Sequence, residues 1–174
     1  MIHQELNKHI DYIIESHTPL FSTTPEKSIR FWDKETPYSI HPLWCATTLA
    51  TETELPKDVR EEGIITLLYH DVLEDTTRSL PSDIPSHIRQ SIQDMTFPGG
   101  IQQEMEEIWD KKPLIRLFKL YDKISNLLDG TWMSSELYDT YSAYSRKLLL
   151  DVENTYGQLN IVKIAHAILD THEI

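Results

Sequence analysis

A chain of 174 residues, 40% hydrophobic and 25% charged, suits one globular domain with a sizeable core rather than a disordered segment. Its net charge of −12 argues against a general nucleic-acid binder, because phosphate backbones are gripped mainly by Lys and Arg. Five glycines argue against a β-rich or Gly-loop fold, the single Cys45 cannot pair within the chain, and no apolar run or leader pattern points to a membrane, so a soluble, cytoplasmic protein is expected.

Residues 2–16 place Ile2, Leu6, Ile10, Ile13 and Ile14 at helical spacing, and the Thr-, Ser- and Pro-rich stretch after His17 ends that helix. A polar stretch from Glu26 to Pro37 leads into a second helix over about 41–53, closed before Pro56. Residues 58–75 read as one apolar helix, with Asp58 as N-cap and Glu61 completing a capping box. A loop over 77–85 precedes a short helix from Ser86 to Met95, ended by Phe97-Pro98-Gly99-Gly100. Helices follow over 102–111 and 114–128, and a long helix or helix pair runs from about Ser135 to Ile168, with Gly157 as the break. No segment sustains period-two alternation bounded by turns, so the expectation is a single all-α domain over residues 1–174.

Within this pattern, ionisable residues sit in apolar company. His41 opens the second helix. His70 and Asp71 lie among Leu67, Leu68, Val72 and Leu73, with Glu74 and Asp75 one turn further on. Asp122 lies between Leu120 and Ile124, and taken alone it would most simply pair with Lys119 or Lys123. Buried without partners, such groups are costly. Together, two imidazoles and two carboxylates form a mixed N/O set suited to Mn²⁺, Fe²⁺, Co²⁺ or Zn²⁺, and without cysteine ligands a closed structural zinc site is not expected. One divalent ion held by His41, His70, Asp71 and Asp122 would polarise a phosphoryl group and acidify a water, which Glu74 and Asp75 are placed to orient or deprotonate. His3, His9, His17, His87, His166 and His172 read as surface residues, Trp44 and Cys45 as core, and Trp32 and Trp132 as core or rim.

The ordered set resembles the HD superfamily of metal-dependent phosphohydrolases, and more narrowly the hydrolase domain of RelA/SpoT-type enzymes and the small single-domain SpoT homologues. The residues carrying the resemblance are Pro37-Tyr38-Ser39-Ile40-His41-Pro42, Tyr69 to Thr76, Met95-Thr96, and Lys119 to Asn126, within a region of about 26–145. The resemblance implies an all-helical HD bundle and hydrolysis of the 3′-pyrophosphate of guanosine tetraphosphate, normally with Mn²⁺. Asn126, Thr96, Lys119, Arg30 and Tyr141 would contact the substrate. The departures lie on the substrate side. Trp32-Asp33 stands where the family carries an Arg-Lys pair, with Arg30 and Lys34 nearby, and Leu137 replaces an Arg four residues before Tyr141. An Asp33 facing phosphate would repel it. The readings therefore run from guanosine tetraphosphate, through another nucleotide or dinucleotide phosphate, to a non-catalytic nucleotide-binding regulatory module. Nothing in the pattern specifies an oligomeric state.

Overall fold

Apolar residues at helical spacing become buried helix faces along the chain. The computed structural model describes residues 2–170, as helices α1 (Ile2–Ser16), α2 (Ile40–Ala50), α3 (Lys57–Tyr69), α4 (Val72–Asp75), α5 (Ser86–Met95), α6 (Gly100–Glu107), α7 (Pro113–Leu128), α8 (Ser135–Tyr156) and α9 (Asn160–Asp170). Short 3-10 turns occupy Pro25–Ser28, Ile108–Asp110 and Gly130–Trp132. Among the described residues the only extended pairing is two isolated bridges, Ser22 with Thr76 and Ile29 with Pro37. The all-α expectation holds. The side chains of Ile2 and His3, and His172 altogether, lie outside the described residues. Among those residues, no helix is long and apolar enough to cross a membrane.

Helix α7 is the axis of the bundle. Pro113 occupies its first turn, where a missing N–H costs nothing. Ile115, Leu117, Phe118, Leu120, Tyr121, Ile124 and Leu127 are buried around almost its whole circumference, the pattern of a core helix. It packs against α2, α3, α5, α8 and α9. Each fully buried Leu, Ile or Phe contributes about 1.5–3 kcal/mol. Into this apolar surface α7 also brings Lys119, Asp122 and Lys123, all buried.

The α2–α3 contact is the other close one. Gly63, in the middle of α3, lies under Leu49 and Phe118; a Cβ there would meet Leu49 Cδ2 at 2.2 Å. Only a residue without a side chain lets these helices approach so closely. At the far end, Gly157 breaks α8 from α9 with φ of +77°, as its position suggested. The buried Glu52 carboxylate then accepts from the backbone N–H groups of Asn160 and Ile161, both at 2.8 Å, and from the Tyr121 hydroxyl at 2.8 Å. An anion at the N-terminus of α9 satisfies orphan donors and favours the helix dipole.

Two expectations about α3 fail. It starts at Lys57 after Pro56, with no side-chain cap, so the Asp58–Glu61 capping box does not form. Nor does the helix run to residue 75. It stops at Tyr69 and resumes at Val72, with His70 (φ −59°, ψ −34°) and Asp71 (φ −92°, ψ −6°) at the junction. Consecutive residues of a regular helix point about 100° apart; at this junction the two side chains converge instead.

Candidate metal centre

Three elements deliver the four expected ligands to one point: the first turn of α2 (His41), the α3–α4 junction (His70, Asp71) and the middle of α7 (Asp122). Pro42 is tolerated in that first turn of α2, where its missing N–H is not needed. The Nε2 atoms of His41 and His70 are 3.1 Å apart, and Asp71 Oδ2 is 3.2 Å from each. These three residues present ligand atoms all within 4.8 Å of one another. Asp122 joins more widely, with Oδ1 3.5 Å from His41 Nε2 and 3.8 Å from His70 Nε2. Bonds of about 2.1 Å at right angles put neighbouring donor atoms roughly 3 Å apart, so the spacing suits one shared cation.

The surrounding hydrogen bonds fit the same reading. His70 Nδ1–H donates to the Leu67 carbonyl at 2.7 Å, so that once Nε2 gives up its proton its lone pair faces the cluster. His41 Nδ1 is held by Ser125 Oγ at 2.7 Å, and the Tyr38 hydroxyl donates to Asp71 Oδ2 at 2.9 Å. Burial opposes a charged ring at His70, but Asp71 and Asp122 outweigh it and push His70 up to about 9. Two imidazole nitrogens and two carboxylates facing one another thus call for a positive charge between them, which a proton on His70 supplies and a divalent ion could supply in its place. His41, His70, Asp71 and Asp122 fit such an ion.

Asp71 and Asp122 of this cluster line a cavity of about 370 Å³. Glu74 and Asp75 stand on its wall. Burial raises the Glu74 carboxyl to about 7 against the pull of Lys119, and one of its oxygens accepts from the Phe97 N–H at 2.6 Å. Asp75 is nearly buried and pairs with Lys27 at 2.7 Å. Lys119, Asn126 and Tyr141 also line the cavity. Asn126 donates to Asp122 Oδ1 at 2.7 Å, while Lys119 and Lys123 hold the other oxygen at 3.0 and 3.2 Å.

Four expectations need correction. Arg30 does not line the cavity: it is buried, paired with Asp129 at 3.0 Å and donating to the Ser125 carbonyl at 3.1 Å, which ties the 29–37 loop to α7. Thr96 is also outside it, with its hydroxyl donating to the Ile92 carbonyl. Asp33 does not face phosphate either. Its carboxylate closes its own turn, accepting from the N–H groups of Glu35 and Thr36 and from the Thr36 hydroxyl, and these bonds hold it down at about 2. Among the histidines read as surface residues, His17 is buried at 2% exposure, 5.0 Å from the Tyr38 ring, with both ring nitrogens lacking a hydrogen-bond partner. Burial lowers it to about 4.

Sequence reasoning missed several wall residues. Lys27 and Glu104 carry no local signal, since each lies in a segment that reads as polar surface. Phe31 was missed as well; it lines the cavity beside Trp132, which the sequence did place at the core or rim, with ring centroids 5.2 Å apart. Their pairing joins two segments a hundred residues apart, so no periodicity announces it.

No family model matches the chain, and no curated protein matches it. Among solved structures, one described as a metazoan ortholog of SpoT that hydrolyzes ppGpp and plays a role in starvation responses aligns with a TM-score of 0.74. The alignment covers 95% of this chain and 94% of that one, at 21% identity. Over nearly its whole length, then, this chain has the all-helical fold of a SpoT-like hydrolase.

Proposed function

We propose that this protein is a metal-dependent phosphohydrolase that removes the 3′-pyrophosphate of guanosine tetraphosphate (ppGpp), with one divalent ion, Mn²⁺ first among the candidates, held by His41, His70, Asp71 and Asp122. The observation that carries the reading is the meeting of two imidazole nitrogens and two carboxylates, spaced for one cation, with both carboxylates lining a cavity. The likeness in fold to a ppGpp-hydrolysing SpoT ortholog supports the substrate. We further propose that the chain works as one domain, in the cytoplasm, on a small nucleotide rather than a nucleic acid.

The bound ion would act as a Lewis acid on the phosphoryl group and lower the pKa of the attacking water. The protein's own groups divide the remaining tasks. Glu74, fixed through one oxygen by the Phe97 N–H, takes the proton of the water with the other. Asp75, anchored by Lys27, orients that water. Ser125 and the Leu67 carbonyl keep both histidines turned toward the centre, and Tyr38 does the same for Asp71. Lys119, Asn126 and Tyr141 face the phosphates, and the Phe31–Trp132 pair offers flat rings to the base.

The test combines elemental analysis of the purified protein with pyrophosphate release from a nucleotide panel in Mn²⁺. One equivalent of metal and release from ppGpp are expected. Asp122→Ala should lose both metal and turnover, and Glu74→Ala should lose turnover while keeping its metal. Release from another nucleotide alone would reassign the substrate. A metal-free, inert protein that still binds nucleotide would make it a regulatory module.

A further inference from the structure

Each of the three lysines lining the cavity already faces a carboxylate. Lys27 pairs with Asp75. Lys119 and Lys123 both reach Asp122 Oδ2, at 3.0 and 3.2 Å, and both reach Glu104 Oε2, at 3.0 and 3.1 Å. Asp122 has its other oxygen at the metal centre, but Glu104 has no part there. It arrives from α6 on the facing wall, is buried, lines the cavity, and is steadied by the Tyr144 hydroxyl, which donates to Oε1 at 3.0 Å.

Two ammonium groups converging on one anionic oxygen is how a pair of lysines holds a phosphate oxygen. Here a protein carboxylate holds that place. We propose that Glu104 is a specificity-determining residue, an internal stand-in for a substrate phosphate that occupies the anion site between Lys119 and Lys123 and limits how tightly the cavity holds polyanions. Two buried lysines need two counter-anions, and Asp122 and Glu104 supply them. A phosphate reaching the pair must displace Glu104 or remain outside. Without the Glu104 charge, the pair carries a net positive charge that an incoming anion fills. The inference rests on the hydrolase reading only for the identity of the natural anion.

The experiment measures inorganic phosphate binding to the full chain by calorimetry, comparing wild type with Glu104→Gln, which keeps the size and an oxygen for the lysines. A unit charge removed roughly 6 Å from the anion, at an effective dielectric near 20, is worth roughly a hundredfold, which ionic screening cuts to about tenfold. Phosphate should therefore bind Glu104→Gln about tenfold more tightly, with a steeper salt dependence. In turnover of ppGpp, KM should fall with kcat within about twofold, a split that simple loosening of the fold does not give. Unchanged or weaker phosphate binding by a folded Glu104→Gln protein overturns the proposal. Should that variant fail to fold, Tyr144→Phe, which frees one oxygen of Glu104, is expected to tighten phosphate binding about two- to threefold; no gain there overturns it equally. If the wild type turns over no nucleotide, the hydrolase reading fails, and the phosphate titration still decides the role of Glu104.

Discussion

Burial and charge pull Glu74 in opposite directions, and burial prevails. A carboxyl raised to about 7 is half protonated near neutrality, whereas an ordinary glutamate is fully ionised there. A general base must be ionised to accept a proton, so kcat at saturating metal should climb with pH and level off by the ionised fraction of Glu74, with a midpoint below 7 because the bound cation offsets the charges of Asp71 and Asp122. Glu74→Gln should lose about 10²- to 10⁴-fold in kcat and lose the rising limb. A pH–rate profile from 5.5 to 8.5 checks this; an unchanged limb in Glu74→Gln assigns the titration elsewhere. At this scale the sequence was most legible where a charge sits in apolar surroundings, as His70, Asp71 and Asp122 do. Arg30 and Asp33 were misread because their directions depend on the loop backbone. Lys34 has φ of +59°, Arg30 N–H donates to the Thr36 carbonyl and Tyr38 N–H to that of Ser28. Those bonds turn Asp33 into its own turn and Arg30 inward.

The α2–α3 crossing sets how far His41 lies from His70, and Gly63 sets the crossing. In an exposed helix, Gly to Ala gains about 1 kcal/mol of helix propensity. Here the added methyl would lie 2.2 Å from Leu49 Cδ2 and 2.7 Å from the Phe118 ring, so the helices must separate. Overpacking of that kind costs about 1–3 kcal/mol, which outweighs the propensity gain. Gly63→Ala should therefore lower the thermal midpoint and also weaken metal binding, both measurable by denaturation with and without Mn²⁺. Glu52 makes a similar point for α9. Glu52→Ala leaves two backbone N–H groups and the Tyr121 hydroxyl unpaired in the interior, a loss on the order of 3 kcal/mol readable as a lower urea midpoint with unchanged slope. Helix existence was legible from periodicity throughout. The interruption after Tyr69 was not, because the apolar pattern continues through Leu73 and no Gly or Pro marks the break. It arises from tertiary demand: two adjacent side chains must meet at one point.

For the molecule as a whole, the proposed metal centre would be a cross-link. The four residues come from α2, the α3–α4 junction and α7, and α2 packs closely on both α3 and α7. Without an ion, His70, raised to about 9, holds a proton under the pull of the two carboxylates; a bound ion would displace that proton and tie all four side chains together. Since the unfolded chain does not gather these ligands, binding free energy adds to folding stability. At a free metal concentration a hundredfold above Kd the gain is about 2.7 kcal/mol. For a domain of this size each kcal/mol moves the thermal midpoint by roughly 2–4 °C, so Mn²⁺ should raise it by about 5–10 °C and a chelator should reverse the shift. A single cooperative transition is expected in both states, as one core demands. Asp122→Asn separates the cross-link from ordinary packing. It keeps the size of the side chain but removes a charge from the centre and from Lys119 and Lys123, so its midpoint should be lower than that of the metal-free wild type and almost insensitive to Mn²⁺. A variant that still gains the full metal shift would place the ion away from Asp122.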